Sequence, residues 1–134
     1  MRRKVTVIGD PDVVGDSRQH AEIVTWPSPD AGGADVVVIA DGKRLEEVAD
    51  FLARRCPAAV IVATDPTWCA ELLERTHFPR GRVFAAGDVA AAVDAVLGES
   101  GAELEVTIRH DGEHGQDGFH RVRARVGSGG VFAV

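Results

Sequence analysis

Asp35-Val36-Val37-Val38-Ile39-Ala40 and Ala58-Ala59-Val60-Ile61-Val62-Ala63 bracket the stretch whose reading decides the fold. Both are continuous apolar runs without alternation, the pattern of parallel strands covered on both faces. Between them, Leu45, Val48, Ala49, Leu52 and Cys56 recur at the spacing of one helix face, and Pro57 stops the helix. A strand, a helix and a second strand of these lengths make one right-handed βαβ unit.

The same alternation continues downstream. Asp65 is placed to cap a helix with Pro66 at its first position, and Cys69, Leu72, Leu73 and Thr76 form its inner stripe. The run Arg82-Val83-Phe84-Ala85-Ala86 reads as the next strand, and Asp88 as the cap of a third helix that faces Val89, Ala92, Val93, Val96 and Leu97 inward. Upstream, Val5-Thr6-Val7-Ile8 is a first strand closed by Gly9, and Glu22-Ile23-Val24-Thr25-Trp26 a second. A helix over residues 12–21 is only weakly patterned, and Pro27, Pro29, Gly32 and Gly33 punctuate the segment after Trp26.

Past Gly101 the period becomes two. Leu104, Val106 and Ile108 alternate with Glu103, Glu105, Thr107 and Arg109, and Val122, Ala124 and Val126 with Arg121, Arg123 and Arg125. This predicts an antiparallel hairpin in which Thr107 faces Arg121, Glu105 faces Arg123 and Glu103 faces Arg125. The arginine row has two readings, cross-strand ion pairing or recognition of an anionic partner. The expected architecture is α/β, a Rossmann-like three-layer sandwich of five or six strands. Residues 1–100 form its βαβ core and residues 101–134 a hairpin and tail, all within a single domain.

Composition narrows the function classes. The chain has 134 residues, 45% hydrophobic and 27% charged, enough for one core but too short for paired cofactor and substrate domains. No apolar run approaches the roughly 18 residues of a membrane span, and the apolar stretch after Met1-Arg2-Arg3-Lys4 is too short for a signal peptide. A net charge of −6 repels phosphate backbones and argues against nucleic acid. Cys56 and Cys69 lack metal-type spacing and suit a reducing cytoplasm as small buried residues.

Several segments, in order, resemble the lactate/malate dehydrogenases. Lys4-Val5-Thr6-Val7-Ile8-Gly9 is similar to that family's first strand and turn, and residues 34–40 to the strand before its active-site loop. Val62-Ala63-Thr64-Asp65-Pro66 stands where the family has an Asn-Pro turn, and Phe78-Pro79-Arg80-Gly81-Arg82-Val83 resembles the lead into the next strand. Glu113-His114-Gly115-Gln116-Asp117 resembles the turn that carries the catalytic histidine, and residues 126–131 the stretch after it. The resemblance implies a Rossmann-like fold, NAD-dependent hydride transfer, frequent dimerisation, His114 as the catalytic acid/base and Asp88 as the aspartate that orients it. The family's substrate domain has no counterpart in this chain.

Departures from the family pattern remove most of the cofactor and substrate apparatus. Dinucleotides need glycines after the first strand, so that backbone N–H groups reach the pyrophosphate at a helix end. Here the turn reads Gly9-Asp10-Pro11-Asp12-Val13-Val14-Gly15. Pro11 has no N–H, and each carboxylate within about 4 Å of a phosphate opposes it by up to about 4 kcal/mol at an effective dielectric near 20. The ribose-gripping acid is replaced by Val24-Thr25-Trp26-Pro27, and Asp41-Gly42-Lys43-Arg44 runs straight into a helix where the family has a long arginine-bearing loop. Ala91 stands where an arginine is expected after Asp88, and Gln116 replaces the acid after Gly115.

Whether the chain is an enzyme is open at this level, and no cofactor and no metal are assigned. In such sheets ligands sit beyond the carboxyl ends of the strands, a rim that collects Asp10, Asp41, Asp65, Asp88 and His114. An acidic rim predicts a cationic or amine-bearing small molecule, with Trp26 and His110 as further lining residues. The cluster of three histidines and three carboxylates from His110 to His120 has three readings: a solvated hairpin tip, a metal site without standard spacing, or a retained role for His114. A repurposed small-molecule-binding or acid/base protein, a homodimeric interaction domain and a residual NAD oxidoreductase are the resulting function classes.

Overall fold

The computed structural model describes residues 3–19, 21–98, 101–110 and 118–133. Five parallel strands, β1 (Arg3–Ile8), β2 (Ala21–Trp26), β3 (Val36–Ile39), β4 (Val60–Ala63) and β5 (Val83–Ala85), are followed by antiparallel β6 (Ala102–His110), β7 (Gly118–Gly127) and β8 (Gly130–Ala133). They form one eight-stranded sheet in the order β2-β1-β3-β4-β5-β6-β7-β8. The strand order reverses at β1, which pairs in parallel with β2 on one side and β3 on the other, and this opens a crevice beyond their carboxyl ends.

Burial follows from the apolar runs. Val36 to Ile39 and Val60 to Ala63 are buried on both faces, because helices cover each side of the sheet. On one face Val5, Val7, Val36, Val38, Val60, Val62 and Phe84 pack with α3 (Val89–Leu97) and the apolar side of the hairpin. On the other, Val37, Ile39, Ile61, Ala63 and Val83 pack with α1 (Leu45–Arg55) and α2 (Pro66–Arg75). The expected inner stripes of α1 and α2 are inward. Leu45, Val48, Ala49, Leu52, Cys69, Leu72 and Thr76 are buried, and the Thr76 hydroxyl donates to the Leu72 carbonyl at 2.6 Å.

Three expectations change. The weak helix after β1 is a 3-10 helix, Pro11–Gln19, broken at Gly15 (φ 51°, ψ −126°), and Ala21 already belongs to β2. Among the described residues the sheet has eight strands, because both hairpin strands join the five parallel ones and the tail beyond Gly127 folds back as β8; β2 and β8 are its two edges. The hairpin register is as predicted, Thr107 with Arg121, Glu105 with Arg123 and Glu103 with Arg125. The ion pairs, however, run diagonally, Arg121 to Glu105 at 3.2 Å and Arg123 to Glu103 at 2.9 Å. Strand twist brings diagonal neighbours within reach of long side chains, and these take the shorter path.

The irregular segment between β2 and β3 is tied to β1. The Lys4 ammonium donates to the Asp30 and Gly32 carbonyls at 2.8 and 3.1 Å, and the buried Thr6 hydroxyl to the Ala31 carbonyl at 2.7 Å. That anchoring fixes the chain that delivers Trp26 and Pro27 to the crevice.

Candidate functional site

Asp10, Asp41, Asp65 and Asp88 each follow the carboxyl end of a parallel strand, so the fold brings them to one edge of the sheet. All four make the same local bond. The Oδ1 of Asp10 accepts from the Asp12 N–H at 3.0 Å, that of Asp41 from Lys43 at 2.9 Å, that of Asp65 from Thr67 at 2.9 Å and that of Asp88 from Ala91 at 3.0 Å. Asp65 and Asp88 thereby cap α2 and α3, satisfying amides that a helix start leaves without partners. Capping thus accounts for Asp65 and Asp88 on this rim, and local turn bonds for Asp10 and Asp41.

Among the described residues, clefts open along the rim at two places. The smaller, about 210 Å³, lies at the reversal of strand order, lined by Gly9, Trp26, Pro27, Asp41, Lys43 and Arg44 above Ile8. The Arg44 guanidinium stacks over the Trp26 ring at 4.7 Å and donates to Glu47, which raises the arginine's pKa and lowers the carboxylate's. Trp26 leans on Phe51 with ring centroids 6.0 Å apart. Gly9 has φ +115°, a conformation that side chains rarely adopt, and a Cβ there would press on Ala40 and Asp41 at 3.1–3.2 Å. On the far side of the loop, the Trp68 indole sits so close to Gly42 that an added Cβ would lie 2.1 Å from its Nε1.

The larger cleft, about 340 Å³, lies at the start of α3 and is lined by Asp88, Ala91, Leu104, Glu105, Thr107 and Arg121. Arg121 and Glu105 neutralise each other across it. Sequence reasoning named Asp88, Trp26 and Asp41, and weighed Arg121 for an anionic partner, but missed Lys43, Arg44 and Glu105 as lining groups. The position of Lys43-Arg44 just past the end of β3 was the available signal, since that is where such sheets hold ligands.

Of the remaining expected site residues, Asp10 and Asp65 line neither cleft. Asp10 and Asp65 serve the turns that they open, while His110 closes β6 opposite Gly118, with its side chain outside the described residues. His114 and the rest of the histidine-rich turn also lie outside them. Among the described residues no group of three or more His, Cys, Asp or Glu is placed to hold a metal ion, and no helix is long and apolar enough to cross a membrane. Cys56 and Cys69 are buried free thiols; burial chiefly, with the Asp65 charge second, pushes the Cys69 thiol up to about 12, out of the range of a nucleophile.

The first turn does not fit a pyrophosphate in the usual manner. Pro11 carries no N–H, the Asp12 N–H is already donated to the Asp10 carboxylate, and the 3-10 helix beginning there is kinked at Gly15.

No family model and no curated protein matches the chain. Solved structures do. It is similar to the malate dehydrogenase of Salinibacter ruber, with a TM-score of 0.74 and 15% identity over 98% of this chain and 88% of that one. The malate dehydrogenase of Archaeoglobus fulgidus in complex with NADH gives 0.76 and 10% over 98% and 90%. That of Aeropyrum pernix gives 0.74 and 12% over 97% and 89%. At these identities the likeness establishes the fold, which is that of the malate dehydrogenases.

Proposed function

We propose that this chain, built on the malate dehydrogenase fold, is a small-molecule-binding protein that has given up dinucleotide-dependent hydride transfer. Its ligand seats in the cleft of Gly9, Trp26, Asp41 and Arg44. Any reaction it performs is cofactor-independent acid/base chemistry that belongs to the neighbouring cleft lined by Asp88, with His114 as the acid or base and Asp88 orienting it. The observation that carries this reading is the bond from the Asp12 N–H to the Asp10 carboxylate. An amide that would meet a phosphate is bound to a side chain, and that side chain is itself an anion.

The test has two arms. NADH fluorescence should show no saturable change up to about millimolar protein, and saturable micromolar binding would overturn the loss of the dinucleotide. A thermal-shift screen should find a small molecule that stabilises the fold, by about 2.7 kcal/mol at 100 times its dissociation constant. Replacing His114 with Ala should then abolish turnover while the ligand still binds; unchanged turnover removes His114 from the chemistry.

One observation favours a second reading, self-association. β8 is an edge strand without charge, and its Phe132 is 61% exposed. Light scattering should then report a dimer that Phe132→Glu converts to monomer, whereas a monomer at all concentrations would dismiss it.

A further inference from the structure

We infer that the cleft at the strand-order reversal takes a small zwitterion, a molecule with an amine and a carboxylate on a compact apolar body; this rests on the proposed role of that cleft. The acidic rim alone pointed to an amine. Structure adds charge of the opposite sign at the same place, since Lys43 and Arg44 line the cleft together with Asp41.

The lining is ordered for two-point recognition. Stacking on Trp26 at 4.7 Å and the bond from Nη2 to Glu47 orient the Arg44 guanidinium, whose planar fork of five N–H donors suits a carboxylate. Asp41 is held by the Lys43 N–H on Oδ1, which turns the loop so that acid and bases share one opening. Ile8, Trp26 and Pro27 supply the apolar wall. At about 210 Å³ the space falls below the roughly 300 Å³ where drug-sized pockets begin, which selects a ligand the size of a free amino acid over a nucleotide.

Two matched probe sets test this by following the Trp26 indole N–H resonance in the full chain. One is leucine, 4-methylpentanoate and 3-methylbutylamine; the other is phenylalanine, 3-phenylpropanoate and 2-phenylethylamine. In at least one set the zwitterion should bind about tenfold or more tighter than either single-charge analogue, the size of one charged hydrogen bond. Arg44→Gln should reduce it to the level of the amine, and Asp41→Asn to the level of the acid. Single-charge analogues that bind equally well, zwitterion binding indifferent to both substitutions, or no zwitterion binding in either set would overturn the inference. If other small molecules still shift the Trp26 resonance, the cleft remains a ligand site and only the ligand class is wrong; if nothing shifts it, the proposed function fails as well.

Discussion

Asp10, Asp41, Asp65 and Asp88 perform one local task four times, each accepting a backbone N–H two or three residues ahead. Asp88→Ala should therefore cost about 1 kcal/mol in chemical denaturation, from the lost α3 cap, and Asp88→Asn much less. Gly42→Ala should cost more, roughly 1 to 3 kcal/mol, because the new methyl would meet the Trp68 indole. Cys69 gives a pH signature. Its folded pKa of about 12 exceeds the ordinary 9.0, so stability is unaffected below pH 9 and falls as pH rises from 9 towards 12, where only the unfolded thiol ionises. Denaturation midpoints between pH 8 and 11 should show this fall, and Cys69→Val should flatten it. The acids were legible in sequence as a set. Their bonds to neighbouring amides were legible only for Asp65 and Asp88, where a helix pattern comes next.

Elements were the most legible level, since each carries its own period. The βαβ runs of residues 35–63 and the alternation of residues 102–126 place strands and helices without reference to the rest of the chain. What the period left open was how charges meet across the hairpin. A register sets which residues face each other, but twist and side-chain length set which of them touch, and Glu103 reaches Arg123 although it faces Arg125. A double-mutant cycle on Glu103 and Arg123 should give a coupling of about 0.2 to 1 kcal/mol that shrinks in high salt, while one on Glu103 and Arg125 should give less. Equal couplings would contradict the diagonal arrangement.

Across the whole molecule the tail is joined to the parallel half through two glycines. At Gly130 (φ +98°) a Cβ would lie 2.1 Å from the Gly81 carbonyl oxygen, and at Gly81 one would lie 2.7 Å from the Val131 carbonyl oxygen. Gly130→Ala should free β8 from this joint, so hydrogen exchange should speed up in β8 and near Gly81 while β3 and β4 stay protected. Uniform change, or none, would show that the joint does not hold β8. The sequence by itself determined the α/β class, the parallel core, the inner helix faces and the hairpin register, because each depends on the order of apolar and polar residues along a short stretch. Only the tertiary structure decided that the tail forms an eighth strand and that Trp26, Asp41, Lys43 and Arg44 share one cleft. Such groupings depend on which strand ends become neighbours in the sheet, and residues separated by a crossover carry no periodic signal of their proximity.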